Sequence, residues 1–344
     1  MKLKYTILVL LFAFTSGFAG VARSQEVTLK IHHFLPLPST AHAKFIVPWC
    51  EKIGKESGGR LACQIYPSMQ LGGAPPQLYD QAKDGVADIV WTLPGYTAGR
   101  FPLIEAFELP FTMTNAEATS RALWLYVQQH ARGEFKDVHP LAFHVHGPGY
   151  IHMREKQIRT LADMKGVKVR APTRLTNKLI GAMGATPVGM PVPQVPEALS
   201  RGVIDGAVIP WEVVPAVKVE ELTKFHTETD AKFLALYTST FIFAMNPAKY
   251  NALPPDLKKV IDQNSGAELS AWIGKVFQEA DVPGRKLAQA RGNQFYTVPA
   301  AELENWRKVA QPIADEWIKD MGAKGHDGKA LIESARALIQ KYTK

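Results

Sequence analysis

One arginine stands out as a candidate for binding chemistry. Within GVKVRAPTRLTNKLIGAMG (166–184), an apolar alternation predicts a strand that ends at Arg170. A guanidinium keeps its charge at every physiological pH and offers a planar fork of donors that suits a carboxylate. Two partners are open for it: an acid of the chain itself (Asp163, Glu197 or Glu212), or an anion that enters from solution.

An internal repeat indicates which elements position this arginine. PPQLYDQAKDGVADIVW begins at residue 75 and VPQVPEALSRGVIDGAV at residue 192, and Pro-Gln and Gly-Val-x-Asp fall at the same spacing in both. In each copy Pro-Gln opens a helix, a glycine ends it, and Val-x-Asp leads into a strand. Strands are predicted before both helices, over 60–67 and 185–190. Strand–helix–strand is the crossover unit of a parallel sheet, so two similar α/β lobes are expected.

Further elements follow from hydrophobic periodicity and from proline and glycine positions. Two features bear on how the lobes connect. One is a long strand over 232–247, and the other is a helix from Pro254 to about Ala280 that Pro283 and Gly284 interrupt. The remaining predicted strands are 27–34 and 139–146, and the remaining predicted helices are 39–57, 160–166, 299–319 and 327–342.

The N-terminus predicts export. Residues 1–24 contain a short basic region, an apolar run and small residues, which together are typical of a cleavable signal peptide. The rest of the chain has 37 basic and 32 acidic residues, and no dense basic run interleaved with aromatic residues. Nucleic acid is therefore excluded as a partner.

The two cysteines leave two readings open. Cys50 lies on the apolar stripe of a predicted helix, and Cys63 lies on the apolar face of the strand that follows. An exported protein can form a disulfide between such neighbouring elements, and two buried free thiols are the alternative. A catalytic thiol is disfavoured, because neither cysteine lies in a loop rich in histidine or basic residues.

Longer stretches resemble a known family. LADMKGVKVRAPTRLTNKLIGAMGATPVGMPVPQVPEALSRGVIDGAV, ESGGRLACQIYPSMQLGG and NPAKYNALPPDLKKVI are similar to the substrate-binding proteins of tripartite ATP-independent periplasmic (TRAP) transporters, the DctP type. The resemblance covers essentially the whole chain after the signal peptide. It implies a two-lobed periplasmic-binding-protein fold: two similar α/β domains joined by crossing strands and a long spanning helix. Domain I would comprise 25–147 plus 236–280, and domain II 148–235 plus 281–344.

The same resemblance implies a function. The arginine that matches Arg170 binds the carboxylate of an organic acid in this family, and the periplasmic protein carries that acid to the permease subunits in the membrane. A monomer without a cofactor is expected. Family members that use a metal ion with 2-oxo acids carry a glutamate where this chain has Val208, so no metal is expected at this position.

The other positions of the site point to an apolar ligand. Where sialic-acid binders carry polar groups, this chain has Tyr150, Ile209 and Phe34, and two tryptophans follow the repeat strands. We expect an aromatic or hydrophobic monocarboxylate, such as mandelate, benzoylformate or benzoate, with pantoate and lactate-like or 2-oxo acids as alternatives. Trp91 and Trp211 would clamp a ring, or else pack in the core. The predicted ligand-binding residues are Arg170, Trp211, Tyr150, Trp91, Phe34 and Ile209.

Three alternatives compete with this interpretation. His144 and His146 share one strand face and His152 follows, but the Cys/His spacing of a zinc site is missing. An enzyme is disfavoured, because no Gly-x-Ser-x-Gly elbow, phosphate loop or dinucleotide fingerprint is present. A receptor for another transporter class, or a sensor, would share the same two lobes.

Overall fold

The computed structural model describes residues 26–343, so the predicted signal peptide 1–24 lies outside the described residues. The strands, numbered in chain order, are β1 Val27–His33, β2 Leu61–Tyr66, β3 Ile89–Thr92, β4 His139–Val145, β5 Gly149–Met153, β6 Lys168–Ala171, β7 Thr186–Gly189, β8 Gly206–Pro210, β9 Phe225–Thr229, β10 Thr240–Met245 and β11 Gln294–Val298. The α-helices are α1 Val47–Glu56, α2 Leu78–Lys83, α3 Ala116–Tyr126, α4 Leu161–Met164, α5 Arg174–Ala182, α6 Val195–Ser200, α7 Val219–Leu222, α8 Pro247–Asn251, α9 Pro255–Gln263, α10 Ala267–Ala290, α11 Ala300–Ala323 and α12 Gly328–Tyr342.

The strands form two sheets with one common plan. The first sheet has the order β2-β1-β3-β10-β4, and the second has the order β11-β9-β5-β8-β6-β7. A parallel trio, β2-β1-β3 or β7-β6-β8, lies in each sheet. An antiparallel strand then pairs with the last member of each trio, β10 with β3 and β5 with β8. The two-lobed α/β fold predicted from the sequence is therefore confirmed.

The predicted repeat corresponds to β2–α2–β3 and β7–α6–β8. A 3₁₀ turn opens each helix, at Pro75–Gln77 in the first copy and at Val192–Gln194 in the second. Gly85 and Gly202 follow the helices with φ of 77° and 69°. A residue with a side chain rarely adopts this left-handed conformation, so glycine is required where the helix stops and the chain turns toward the next strand.

The chain passes between the two sheets in two short stretches. The first joins β4 to β5, and the second joins β9 to β10. The second passage was predicted as one strand over 232–247, but only Thr240–Met245 is a strand. The preceding residues leave the second sheet and pair with a loop of the first lobe, where Ala235 exchanges backbone hydrogen bonds with Phe111 (3.1 Å) and Met113 (3.0 Å).

A single long helix, α10, packs against both lobes. It contacts α3 and β4 of the first lobe and α7 of the second. The prediction that Pro283 and Gly284 interrupt this helix was wrong, because α10 continues to Ala290. A Cβ on Gly284 would meet the carbonyl oxygen of Trp211 at 2.1 Å, so this glycine allows close helix packing rather than a helix end. Buried residues continue on both sides of Pro283, and this packing outweighs the lost backbone hydrogen bond.

The C-terminal helices divide between the lobes. α11 packs against α5 of the second lobe, whereas α12 packs against α3 of the first. The division of the chain into domains I and II stays a prediction.

Cys50 on α1 and Cys63 on β2 form a disulfide, with their Cα atoms 5.9 Å apart. The sequence left a disulfide and two free thiols as alternatives, and the structure contains the disulfide. Among residues 26–343 no helix combines the length and the apolar character that a membrane span needs.

Candidate functional site

A cavity lies between the lobes, at the carboxyl ends of their parallel strands. The space between atoms there amounts to about 370 Å³ when the adjoining open solvent is included. Phe34 after β1 and Trp91 in β3 line it from the first lobe, and Arg170 in β6 and Ile209 in β8 line it from the second. Strand ends of this kind are the usual place for ligands in open α/β sheets. Four of the six predicted ligand-binding residues therefore lie around one space.

Arg170 is buried in this cavity wall, with only 2% of the residue exposed. Its Nε donates to the carbonyl oxygen of Met190 (2.9 Å), and its Nη1 donates to that of Val208 (3.2 Å). The Tyr96 hydroxyl also hydrogen-bonds the guanidinium. Burial lowers the pKa of Arg170, and the nearby hydroxyls of Tyr96 and Tyr237 oppose that shift. With five N–H donors, the group keeps donors available for a guest.

No carboxylate of residues 26–343 lies within 4.0 Å of this guanidinium, although three acids were candidate partners. Asp163 instead accepts the backbone N–H groups that open α4, and Glu197 pairs with Arg201 at 2.9 Å. Glu212 also lines the cavity, but its Oε2 has no hydrogen-bond partner in the described protein. A buried positive charge without an internal counterion favours an anionic guest.

The wall opposite the charge is aromatic. Phe34 and Phe241 both stack on the Trp91 indole, each with ring centroids 4.9 Å apart. Trp91 Nε1 donates to His144 Nε2 at 2.8 Å, which fixes the plane of the indole. Tyr96 meets Phe34 edge to face at 5.7 Å. These rings form a rigid apolar surface, suited to the flat body of an aromatic ligand.

Two predicted ligand-binding residues do not line the cavity. Trp211 lies in the core of the second lobe, where its Nε1 donates to Glu228 Oε1 at 2.7 Å and its ring packs against His152 and His226. β8 ends at Pro210, so the side-chain alternation that takes Ile209 to the cavity does not continue to residue 211.

The repeat itself shows why the two tryptophans are not a matched pair. Because Asp88 corresponds to Asp205, the residue that corresponds to Trp91 is Val208 rather than Trp211. The predicted ring clamp between the tryptophans is therefore not formed. Tyr150 lies opposite Ile209 in the β5–β8 pairing, and it is absent from the cavity wall.

Several cavity residues escaped the sequence prediction. Tyr96 lies beyond the end of β3, and its hydroxyl also accepts the backbone N–H of Val192 at 3.1 Å, a contact between the lobes. Ser239 and Glu212 line the cavity as well. Tyr96 and Glu212 lie within five residues of a repeat strand end, so a wider window after each strand would have found them. Tyr237 and Phe241 are buried in the core and also line the cavity.

The three histidines that the sequence suggested as metal ligands each form hydrogen bonds within the protein. His144 Nδ1 contacts the carbonyl oxygen of Val145 at 3.2 Å, and His146 Nε2 accepts from the Ser239 backbone N–H at 3.1 Å. His152 Nε2 contacts the carbonyl oxygen of Ile209 at 2.9 Å. Burial lowers the pKa of His144 to about 3 and those of His146 and His152 to about 4. Within residues 26–343 no group of three or more His, Cys, Asp or Glu side chains is arranged to hold a metal ion.

Known proteins are similar to this chain in sequence and in fold. The family model for bacterial extracellular solute-binding proteins, family 7 (DctP), matches residues 31–320. The outer membrane transporter protein TsaT of Comamonas testosteroni is 28% identical over 321 residues, which cover 92% of this chain and 93% of that protein.

Two solved structures superpose over most of the chain. A TRAP solute-binding protein from Rhodoferax ferrireducens T118, crystallised with copurified benzoate, is 57% identical, with a TM-score of 0.91 over 92% of this chain and 98% of that one. A marine-metagenome TRAP solute-binding protein specific for aromatic acids, crystallised with 3-hydroxybenzoate, is 49% identical, with a TM-score of 0.91 over 93% and 100%. The chain belongs to the DctP family, the bacterial extracellular solute-binding proteins of family 7.

Proposed function

We propose that this protein captures an aromatic monocarboxylate between its lobes and is not an enzyme. The observation that carries the proposal is the buried Arg170 guanidinium, which has no carboxylate partner among the described residues and faces a cavity walled by rings. The ligand carboxylate would supply the missing charge through bonds worth about 1.5–3 kcal/mol each. Phe34, Trp91 and Ile209 would contact the ring.

The ligands of similar proteins support this choice. The Rhodoferax ferrireducens protein was crystallised with benzoate and the metagenome protein with 3-hydroxybenzoate. Each of these acids joins one carboxylate to one aromatic ring, which is the combination that Arg170 and the aromatic wall suit. A small aliphatic acid such as lactate would leave most of the apolar wall without contacts, and we expect it to bind more weakly.

We place this capture in the periplasm, after export directed by residues 1–24. The open protein exposes Arg170, the carboxylate docks there, and the lobes rotate together about the two crossing stretches. Closure is favoured because the ligand contacts both lobes, and only this difference in affinity can drive it. The loaded monomer then delivers the acid to the membrane permease of a TRAP transporter.

Isothermal titration calorimetry with benzoate, mandelate and lactate tests the proposal. We expect benzoate or mandelate to bind the wild type with a Kd near or below about 1 μM, and lactate at least tenfold more weakly. Arg170→Ala should remove most of the binding, and Arg170→Lys should weaken it because the planar fork is lost. Arg201→Ala is the matched control, since the Arg201 side chain is 71% exposed and its ion-pair partner among residues 26–343 is Glu197 of the preceding helix α6.

Normal benzoate binding by Arg170→Ala would contradict the assigned site. Tighter binding of lactate than of either aromatic acid would contradict the assigned ligand class. Chemical conversion of the acid during prolonged incubation, followed by mass spectrometry, would show an enzyme instead of a binding protein.

A further inference from the structure

Three polar atoms of the cavity wall have no hydrogen-bond partner within the described protein. They are Tyr237 Oη, Ser239 Oγ and Glu212 Oε2, and all three belong to buried residues. Buried polar groups are almost always hydrogen-bonded in folded proteins, so a cluster of three at one cavity indicates that a guest completes them. These atoms are additional to the Arg170 guanidinium, which already provides a place for a carboxylate.

The three polar atoms belong to the same cavity wall as Arg170. Tyr237, Ser239 and Glu212 line that cavity together with the guanidinium. For a ligand whose carboxylate lies at Arg170, these groups are therefore the polar partners left for a substituent on the ring.

Glu212 is held in position from both lobes. Its backbone N–H donates to Asp281 Oδ1 at 2.8 Å, and the Thr40 hydroxyl of the first lobe donates to its backbone carbonyl oxygen at 3.4 Å and also hydrogen-bonds its carboxyl. Burial and the neighbouring Asp281 raise the pKa of Glu212 well above its usual value. A neutral carboxyl both donates and accepts a hydrogen bond. A second carboxylate on the ligand would instead meet two acids and be disfavoured.

We propose that Glu212 and Ser239 form a second polar subsite, which receives a hydroxyl group on the ring of the bound aromatic acid. This inference rests on the proposed function, since the ligand carboxylate must first be held by Arg170. A hydroxyl is the group that can both donate to and accept from such partners. The protein would then select hydroxylated aromatic acids over unsubstituted or halogenated acids of similar size.

Calorimetry with benzoate and with the 3- and 4-substituted hydroxybenzoates and chlorobenzoates tests this subsite. Chlorine is somewhat larger than a hydroxyl and cannot donate a hydrogen bond, so the variants below are needed to separate hydrogen bonding from size. A site built to hydrogen-bond a hydroxyl discriminates strongly against an analogue without it. We expect at least one hydroxybenzoate to bind the wild type more than about tenfold more tightly than the chlorobenzoate with the same substitution position.

Three variants assign the preference to residues. Glu212→Met should reduce the preference for the hydroxyl to less than about threefold; the preference is the ratio of two Kd values for the same variant, so a general change in affinity cancels. Glu212→Gln, which still donates and accepts, should retain most of the preference. Ser239→Ala should reduce it in part.

The outcomes separate this inference from the proposed function. If benzoate binds through Arg170 but no hydroxybenzoate is preferred, or if Glu212→Met and Ser239→Ala both keep the full preference, the second subsite is refuted and the proposed function stands. If neither mandelate nor any of these five aromatic acids binds the wild type, the proposed function itself fails.

Discussion

The ion pair between Arg174 and Glu105 provides a direct test of closure around the ligand. Arg174 begins α5 in the second lobe, and Glu105 belongs to the 3₁₀ turn Leu103–Phe107 of the first. Arg174 Nε donates to Glu105 Oε1 at 3.0 Å, and its Nη2 donates to Oε2 at 2.5 Å. Because the partners belong to different lobes, opening the cleft breaks both bonds.

The expected magnitude follows from burial. The Glu105 side chain is 8% exposed and that of Arg174 is 25% exposed. A buried charge-assisted hydrogen bond contributes about 1.5–3 kcal/mol, whereas an exposed ion pair contributes less than about 1 kcal/mol. Partial solvent screening places this pair at about 1–2 kcal/mol in favour of the closed state. Glu105→Gln should therefore weaken ligand binding about 5- to 30-fold.

The assay is calorimetric titration of benzoate into Glu105→Gln, Arg174→Gln and the double variant. The cycle should show a coupling of about 1–2 kcal/mol, because both single changes remove this contact. Arg174 also pairs with Asp320 at 2.8 Å, and the loss of that pair in Arg174→Gln and in the double variant cancels in the cycle. Small-angle X-ray scattering of the unliganded variants should show a larger radius of gyration than the wild type. Lys178→Gln is the control, since Lys178 pairs with Glu316 at 2.5 Å within the second lobe.

Two results would refute this reasoning. Affinities of both single variants within twofold of wild type would mean that the pair does not favour closure. A Lys178→Gln variant that loses as much affinity as Glu105→Gln would mean that charge on α5, rather than a contact between the lobes, controls binding.

Three further predictions concern stability. Replacing Cys50 and Cys63 with serine should lower the free energy of unfolding by about 2–4 kcal/mol in chemical denaturation, because the unfolded chain regains the entropy of the closed loop; an unchanged midpoint would contradict this. Burial raises the pKa of Asp281 to about 8, so its contribution to stability is present below about pH 4 and is lost as the pH rises to 8. Buried histidines titrate with the opposite sign in both proteins, so the measured quantity is the Tm of Asp281→Asn minus that of the wild type at each pH. This difference should rise between pH 5 and 8, and a constant difference would exclude this carboxyl as the cause. Gly284→Ala should lower the free energy of unfolding by about 1–3 kcal/mol, because the new Cβ would overlap a backbone carbonyl. Gly322→Ala is the control: open space surrounds Gly322, so this change should be neutral or stabilising. Equal effects of the two changes in thermal denaturation would show that helix propensity alone is responsible.

The sequence predicted those parts of the fold that depend on local signals. The repeat contains proline at helix starts and glycine at helix ends, and both α2 and α6 lie where these signals place them. Pro283 is the counterexample. Its local signal predicts a helix end, but the packing of α10 across both lobes overrides it, and that packing involves residues distant in sequence.

Arg170 and Ile209 were predicted on different grounds. Arg170 was predicted from its place at the end of a strand and Ile209 from the family resemblance; both lie within strands and line the cavity. Trp211 follows the end of its strand, where the turn rather than the alternation decides the direction of the side chain. Glu212 was considered only as a partner for Arg170, although it lies two residues beyond the end of β8, where a wider window after the strand would have found it.

The exchange of strands between the lobes affects how the protein is made. β10 lies between β3 and β4, so the sheet that begins at Val27 stays incomplete until residue 245 has been synthesised. Likewise β5, which lies between β8 and β9, follows directly on β4 of the other sheet. Neither half is a contiguous piece that can mature on its own while the ribosome is still adding residues. Neither lobe can therefore finish folding during most of translation. An unfolded nascent chain of this kind is compatible with passage through a secretion channel.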